Sequence, residues 1–296
     1  NQNWKFYKYE NIEQADKLIY DIRPELDDVE ELRVADAKPS EAKVTGANNE
    51  VLKPWILASS NEFIKDSRKH HIRPKGNPGN DFPFVQDNFD DSAWEQVDLP
   101  HDWAIAGPFQ EGWDTEVGGG MGRLPSNGVA WYRKKIDIPT SAADKSIFLD
   151  IDGAMSYSMV WLNGHLVGGW PYGYNSFRLN LTPYIIPGGD NQLAIRLDNP
   201  NHSARWYPGG GIYRNVWLTI TEPVYVSQWG TYITTDSITD TSAQVNIEVN
   251  IDNDQNEDVD VSVINSIYAL DDKGEKSKNA VAITKQFKTL VLAKES

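Results

Sequence analysis

Ser158-Met159-Val160-Trp161-Leu162-Asn163-Gly164-His165-Leu166-Val167 is the stretch that sets the fold class. Asn-Gly readily takes the positive φ angles of a two-residue hairpin turn, and here it stands between two apolar runs rich in β-formers. A β-hairpin is predicted, with Asn163 and Gly164 as its turn. Outward from it, apolar and polar residues alternate with a period of two in residues 130–138, 146–151 and 192–197, the spacing of strands. Pro187-Gly188-Gly189 and Asp198-Asn199-Pro200 supply turn chemistry. This part of the chain reads as an all-β domain.

The first hundred residues are less regular. Ile12, Ala15, Leu18 and Ile19 would share one face of a short helix, an acidic stretch follows at 25–31, and loops with short elements are expected. Phe89-Asp90-Asp91-Ser92-Ala93-Trp94 reads as a turn that leads into an extended segment ending at Pro100. Beyond Thr221-Glu222-Pro223, Gly and Trp thin out, and residues 243–251 and 259–263 alternate around a polar loop at 252–258. Two domains are expected, 1–222 and 223–296, joined between about Thr219 and Val226. The second has few strands for a seven-stranded sandwich, which predicts truncation near its last strands. Nowhere do strands alternate with helices as a (β/α)8 barrel requires.

A chain of 296 residues with 40% hydrophobic and 24% charged residues has the composition of a folded globular protein. Its formal charge of −15 repels phosphates and anionic lipid, so neither nucleic acid nor a membrane surface is expected as a partner. A neutral sugar is unhindered. The eleven Trp and thirteen Tyr suit sugar stacking, and equally the core of a β-sandwich. With no cysteine there are neither disulfides nor thiolate metal sites, which leaves export open. A start at Asn1 without Met or an apolar leader predicts a trimmed chain; a periplasmic or secreted location is expected, and a cytoplasmic one is compatible.

Four segments, in this order and spacing, carry a family resemblance: Val97-Asp98-Leu99-Pro100-His101-Asp102-Trp103, Gly128-Val129-Ala130-Trp131-Tyr132-Arg133-Lys134, Val160-Trp161-Leu162-Asn163-Gly164, and Arg205-Trp206-Tyr207-Pro208-Gly209-Gly210-Gly211-Ile212-Tyr213-Arg214-Asn215-Val216-Trp217-Leu218. Gly173-Tyr174-Asn175-Ser176-Phe177 with Leu181-Thr182 adds a fifth. The chain resembles the front end of family 2 glycoside hydrolases of the β-galactosidase type. The resemblance implies an all-β chain: a sugar-binding jelly-roll β-sandwich followed by a smaller immunoglobulin-like β-sandwich, with the catalytic barrel absent. It implies a retaining hydrolase of β-galactosides or related β-glycosides, in which one Glu protonates the leaving oxygen and a second attacks the anomeric carbon from about 5 Å away. Both would lie on a barrel after Ser296, the partner of this chain within one polypeptide, and a homo-oligomer is compatible. No catalytic carboxylate, cofactor or metal is assigned here. The segment alone is expected to be inactive and to bind free sugar weakly, as it supplies one wall of a cleft. The rival reading is a freestanding carbohydrate-binding or adhesion module.

In the family, one residue shortly before the Trp-Tyr strand and one shortly before the Gly-Ile-aromatic-Arg segment reach the rim of the active site. Asn127 and Arg205 hold those positions here, with Trp206 and Tyr207 as further candidate sugar contacts. Asn127 agrees with the amide of some relatives, whereas Arg205 departs from the acidic residue of certain members. An amide both donates and accepts and a guanidinium only donates, so the pair would discriminate hydroxyl orientation. Among other residues, Trp131, Trp161, Leu162 and Phe177 are expected to fill the interior of the sandwich. Arg214 is expected to make an ion pair or cap backbone. His101-Asp102 is expected to fix a loop, because neighbours on an extended segment point to opposite faces. His70-His71 lacks a third metal ligand at suitable spacing. Gly118-Gly119-Gly120-Met121-Gly122 is not a phosphate loop, since no Lys-Ser/Thr follows it.

Overall fold

The computed structural model describes residues 1–21, 49–56, 64–109, 124–200 and 209–293. Two compact units divide the chain: Asn1–Ala143 with Ile147–Thr219, and Asp144–Ser146 with Ile220–Ser296. The strands are β1 (Trp4–Lys8), β2 (Leu18–Ile19), β3 (Glu50–Val51), β4 (Glu95–Val97), β5 (Gly128–Asp137), β6 (Ser146–Ile151), β7 (Ser158–Leu162), β8 (His165–Trp170), β9 (Phe177–Asn180), β10 (Asp190–Asn199) and β11 (Val216–Thr221). In the later part follow β12 (Val224–Ile238), β13 (Ala243–Asn253), β14 (Val259–Val263), β15 (Ser266–Leu270), β16 (Lys276–Ile283) and β17 (Phe287–Val291). The fold is all-β.

The first unit is a sandwich built on one six-stranded sheet, β4-β1-β5-β10-β7-β8, faced by the three-stranded β11-β6-β9. Asn163 (φ 52°) and Gly164 (φ 77°) both take left-handed backbone, and Leu162 pairs with His165 across the predicted turn. The Asn163 side chain also fastens this turn to its neighbours: its amide donates to Tyr184 O and Asn191 Oδ1, and its carbonyl accepts from Gln192 N.

Alternation along the central strands sends residues to two separate cores. Ala130, Tyr132, Val160, Leu162, Ile195 and Leu197 meet the second sheet, together with Phe177. Val129, Trp131, Met159, Trp161 and Ala194 face the other way, under a cover made of Leu18, Tyr20, Leu52, Ile56 and Val85. Trp131 and Trp161 are therefore fully buried, but outside the space between the sheets where the sequence reading put them. Adjacent residues such as Trp161 and Leu162 cannot share one face of a strand. Their indole N–H groups donate to Asp16 Oδ2 (2.9 Å) and Pro78 O (3.2 Å), both on the cover.

The described stretches between β1 and β4, residues 9–21, 49–56 and 64–94, thus form a lid over the main sheet. The expected short helix is instead a 3-10 turn at Ile12–Gln14 followed by the strand Leu18–Ile19; Asn11 caps the turn by accepting from Gln14 N, and three residues later the chain is extended. Two ion pairs, each with a fully buried arginine, tie lid to sheet. Arg196 on β10 meets Asp16 at 2.8 Å, with side chains 1% and 2% exposed. Arg133 on β5 meets Asp91 at 2.8 Å and also donates to Gln86 O. The turn at 89–94 forms as expected, with Ser92 N donating to Asp90 Oδ1 and Trp94 N to Asp91 O.

The second unit consists of three antiparallel ladders, β12–β13, β14–β17 and β15–β16. Asp254 Oδ2 accepts from Ser146 Oγ and Tyr225 Oη within it. Among the described residues no helix is long and apolar enough to cross a membrane.

Candidate functional site

A cleft of about 680 Å³ lies in the first unit where β1, β5 and β10 end, lined among others by Lys8, Glu10, Pro125, Asn127, Asp198 and Asn199. Pockets of roughly 300–1,000 Å³ suit small ligands. Asn127 immediately precedes β5. Its side chain is half-buried and makes no hydrogen bond among the described residues, so both its donors and its acceptor remain available.

The backbone around it is firmly held. Buried Asn199, the last residue of β10, donates from Nδ2 to Ser126 O (2.8 Å) and Gly209 O (2.7 Å). One side chain thereby clamps the residue before Asn127 to the residue that follows the 201–208 stretch. Trp103 Nε1 donates to the same Ser126 O at 3.1 Å.

Arg205, Trp206 and Tyr207 lie outside the described residues, as do Gly118 to Gly122 and the acidic stretch at 25–31. Pro200 lines the cleft. The glycines that follow are packed too closely for any side chain: a Cβ at Gly210 would stand 2.3 Å from the Trp103 ring, and one at Gly211 (φ 111°) 2.5 Å from His101 O.

His101 and Asp102 do not pair with each other. His101 Nδ1 is hydrogen-bonded to Tyr132 Oη at 2.7 Å, while Asp102 Oδ1 accepts from Ala104 N (2.8 Å) and Gly210 N (3.1 Å). Burial holds the His101 imidazole below its ordinary pKa of 6.5, against the opposing pull of Glu95 and Asp102. Burial likewise pushes the Tyr132 phenol well above 10.0. Both groups are neutral at pH 7 and serve the loop. His70 and His71 bond separate carbonyls, Ile64 O at 2.8 Å and Pro54 O at 2.9 Å, and no metal-ligating cluster occurs among the described residues. Arg214 departs from expectation. It is exposed, its guanidinium carbon 6.0 Å from the Tyr213 ring centroid, with no ion pair among the described residues. β11 begins only at Val216, so no strand end is there for Arg214 to cap.

Two cleft residues were not singled out by the sequence. Lys8 lies beside Asn127 because β1 pairs with β5, Lys8 opposite Ala130. Asp198 sits 3.5 Å from Arg196 Nη1. Pairing across more than a hundred residues leaves no local signal.

Comparison with known proteins gives the same picture. Residues 89–203 match the model of the β-galactosidase second all-beta domain. The chain is 42% identical over 190 residues to β-galactosidase BoGH2A of Bacteroides ovatus, covering 64% of this chain and 22% of that protein. It is 37% identical over 169 residues to a putative β-glucuronidase of Formosa agariphila, covering 57% and 16%. Among solved structures, a glycosyl hydrolase family 2 member from Bacteroides cellulosilyticus superposes with a TM-score of 0.57 at 31% identity, over 70% of this chain and 27% of that one. The chain thus spans about a fifth of the length of the curated relatives it matches. Sequence motifs, the all-β sandwich and these relatives agree: the chain is similar to an N-terminal-type, all-β portion of glycoside hydrolase family 2 proteins.

Proposed function

We propose that this chain builds one wall of the active-site cleft of a retaining hydrolase acting on β-galactosides or related β-glycosides. A catalytic barrel of the same polypeptide supplies the acid and the nucleophile. In this reading the first unit is a sugar-binding jelly roll and the second an immunoglobulin-like sandwich. The proposal includes a periplasmic or secreted setting, with which a cysteine-free chain is compatible.

One observation carries the reading: among the described residues the Asn127 amide stands unspent in a cleft of sugar size, on backbone that Asn199 clamps in place. A half-buried amide without a partner is poised for a hydroxyl that can both accept and donate. Arg205, Trp206 and Tyr207 are proposed as further contacts on the strength of the sequence motif, and Pro200 at the cleft supports this.

In the intact hydrolase, Asn127→Ala should lower kcat/KM for a β-galactoside by roughly 5- to 150-fold, the effect of about 1–3 kcal/mol lost from one hydrogen bond. Thermal stability should stay unchanged. An unaltered kcat/KM would leave Asn127 a bystander and remove the basis for the cleft assignment.

A further inference from the structure

The cleft holds a second unspent group. Lys8 extends from β1 across β5, and a Cβ at Gly128 would stand 2.9 Å from both its Cε and its Nζ. A side chain at 128 would push the end of Lys8 aside, and Gly128 itself sits at φ 133°, a conformation that favours glycine. The ammonium is therefore laid against the residue next to Asn127, in the lining of the same cleft. Among the described residues it has no hydrogen bond and no ion pair; its one aromatic neighbour is the Trp103 ring, 6.0 Å away.

Among the described residues no carboxylate of the cleft stands within ion-pair distance of it. Asp21 is ion-paired to Lys53. Asp198 has Arg196 Nη1 at 3.5 Å. Glu10 is exposed. Burial moves the Lys8 ammonium down from its ordinary 10.5, and no carboxylate opposes that shift. A partly desolvated cation without a counter-charge is a cost to the fold, and a ligand that brings a negative charge to it gains a charge-assisted hydrogen bond.

We infer that the Lys8 ammonium, lying across Gly128 beside Asn127, is an anion-recognition element of this cleft and selects glycosides that carry a carboxylate or sulfate on the sugar over their neutral counterparts. This rests on the cleft being the sugar site. Asn127 serves a hydroxyl, which needs no cation, and Lys8 serves the charge. The overall charge of −15 gives such a ligand no long-range steering, so selection acts through close contact and is weakened by salt.

The test is a chemical-shift titration of the 296-residue chain with three probes: methyl β-galactoside, the corresponding methyl β-galactosiduronate, and methyl β-galactoside 6-sulfate. The unmodified chain should bind at least one anionic probe about tenfold more tightly than the neutral one, as expected of a charge-assisted contact. The better of the two identifies the anion as carboxylate or sulfate. Lys8→Met keeps an unbranched apolar stem without the charge and should abolish the preference; Lys8→Arg should retain it. Equal affinity for all probes, or a preference that survives Lys8→Met, overturns the inference. If only the neutral sugar binds, in a manner lost in Asn127→Ala, the cleft reading stands and the role of Lys8 falls. If no probe perturbs the cleft, both fall.

Discussion

Asn199 does more for the site than its place at the end of a strand suggests. Its single amide group satisfies two backbone carbonyls, Ser126 O and Gly209 O, that belong to different loops. Removing a side chain that leaves buried acceptors unpaired costs about 1–3 kcal/mol for each. Ser126 O keeps its Trp103 Nε1 donor, whereas Gly209 O loses the Asn199 amide, so Asn199→Ala should lower the denaturation free energy by roughly 1–3 kcal/mol in urea unfolding, and should loosen Asn127 as well. His101 offers a different handle. Its folded-state pKa lies below the ordinary 6.5 because burial disfavours the cation. The unfolded chain then binds the proton more readily, so the stability this group contributes is complete above pH 6.5 and is lost as pH falls through and below that value. Unfolding midpoints measured from pH 7.5 to 5 should decline in the unmodified chain, and the decline should be shallower in His101→Gln. Asn127 is singled out in the sequence by its position before a motif strand. Lys8 and Asn199 were not, as their roles arise from contacts with Gly128 and Ser126, which lie 120 and 73 positions away.

At the scale of elements, the hairpin at 158–167 and the strands at 146–151 and 259–263 were written in local alternation and turn chemistry, and they form where expected. β1 escaped the same reading. Trp4 and Phe6 face one core while Tyr7 and Tyr9 face the other, so a strand buried on both sides shows no polar face. The lid has no regular pattern either. It is held by long-range side-chain bonds, above all Asp16, which accepts from Arg196 at 2.8 Å and from Trp131 at 2.9 Å. Breaking a buried pair leaves a charge stranded, at about 3–5 kcal/mol. Asp16→Ala should destabilise the first unit by that amount, read by urea unfolding monitored through Trp fluorescence. A loss below about 1 kcal/mol, the range of surface pairs, would mean that the lid is not anchored there.

For the whole molecule, the proposal is that an all-β portion similar to those of family 2 glycoside hydrolases lends a wall to a sugar cleft. Fold and family were legible because motifs in fixed order mark them. The cleft was not, since it is lined from residues as distant as Lys8 and Pro200 that only the sheet order β1-β5-β10 brings together. The most direct measurement is a crystal structure of the intact hydrolase with a non-hydrolysed β-galactoside bound. The account predicts the Asn127 side chain within about 3.2 Å of a sugar hydroxyl, with the cleft between β1, β5 and β10 forming one side of the occupied site. A sugar bound on the barrel with Asn127 and this cleft facing bulk solvent elsewhere would contradict it.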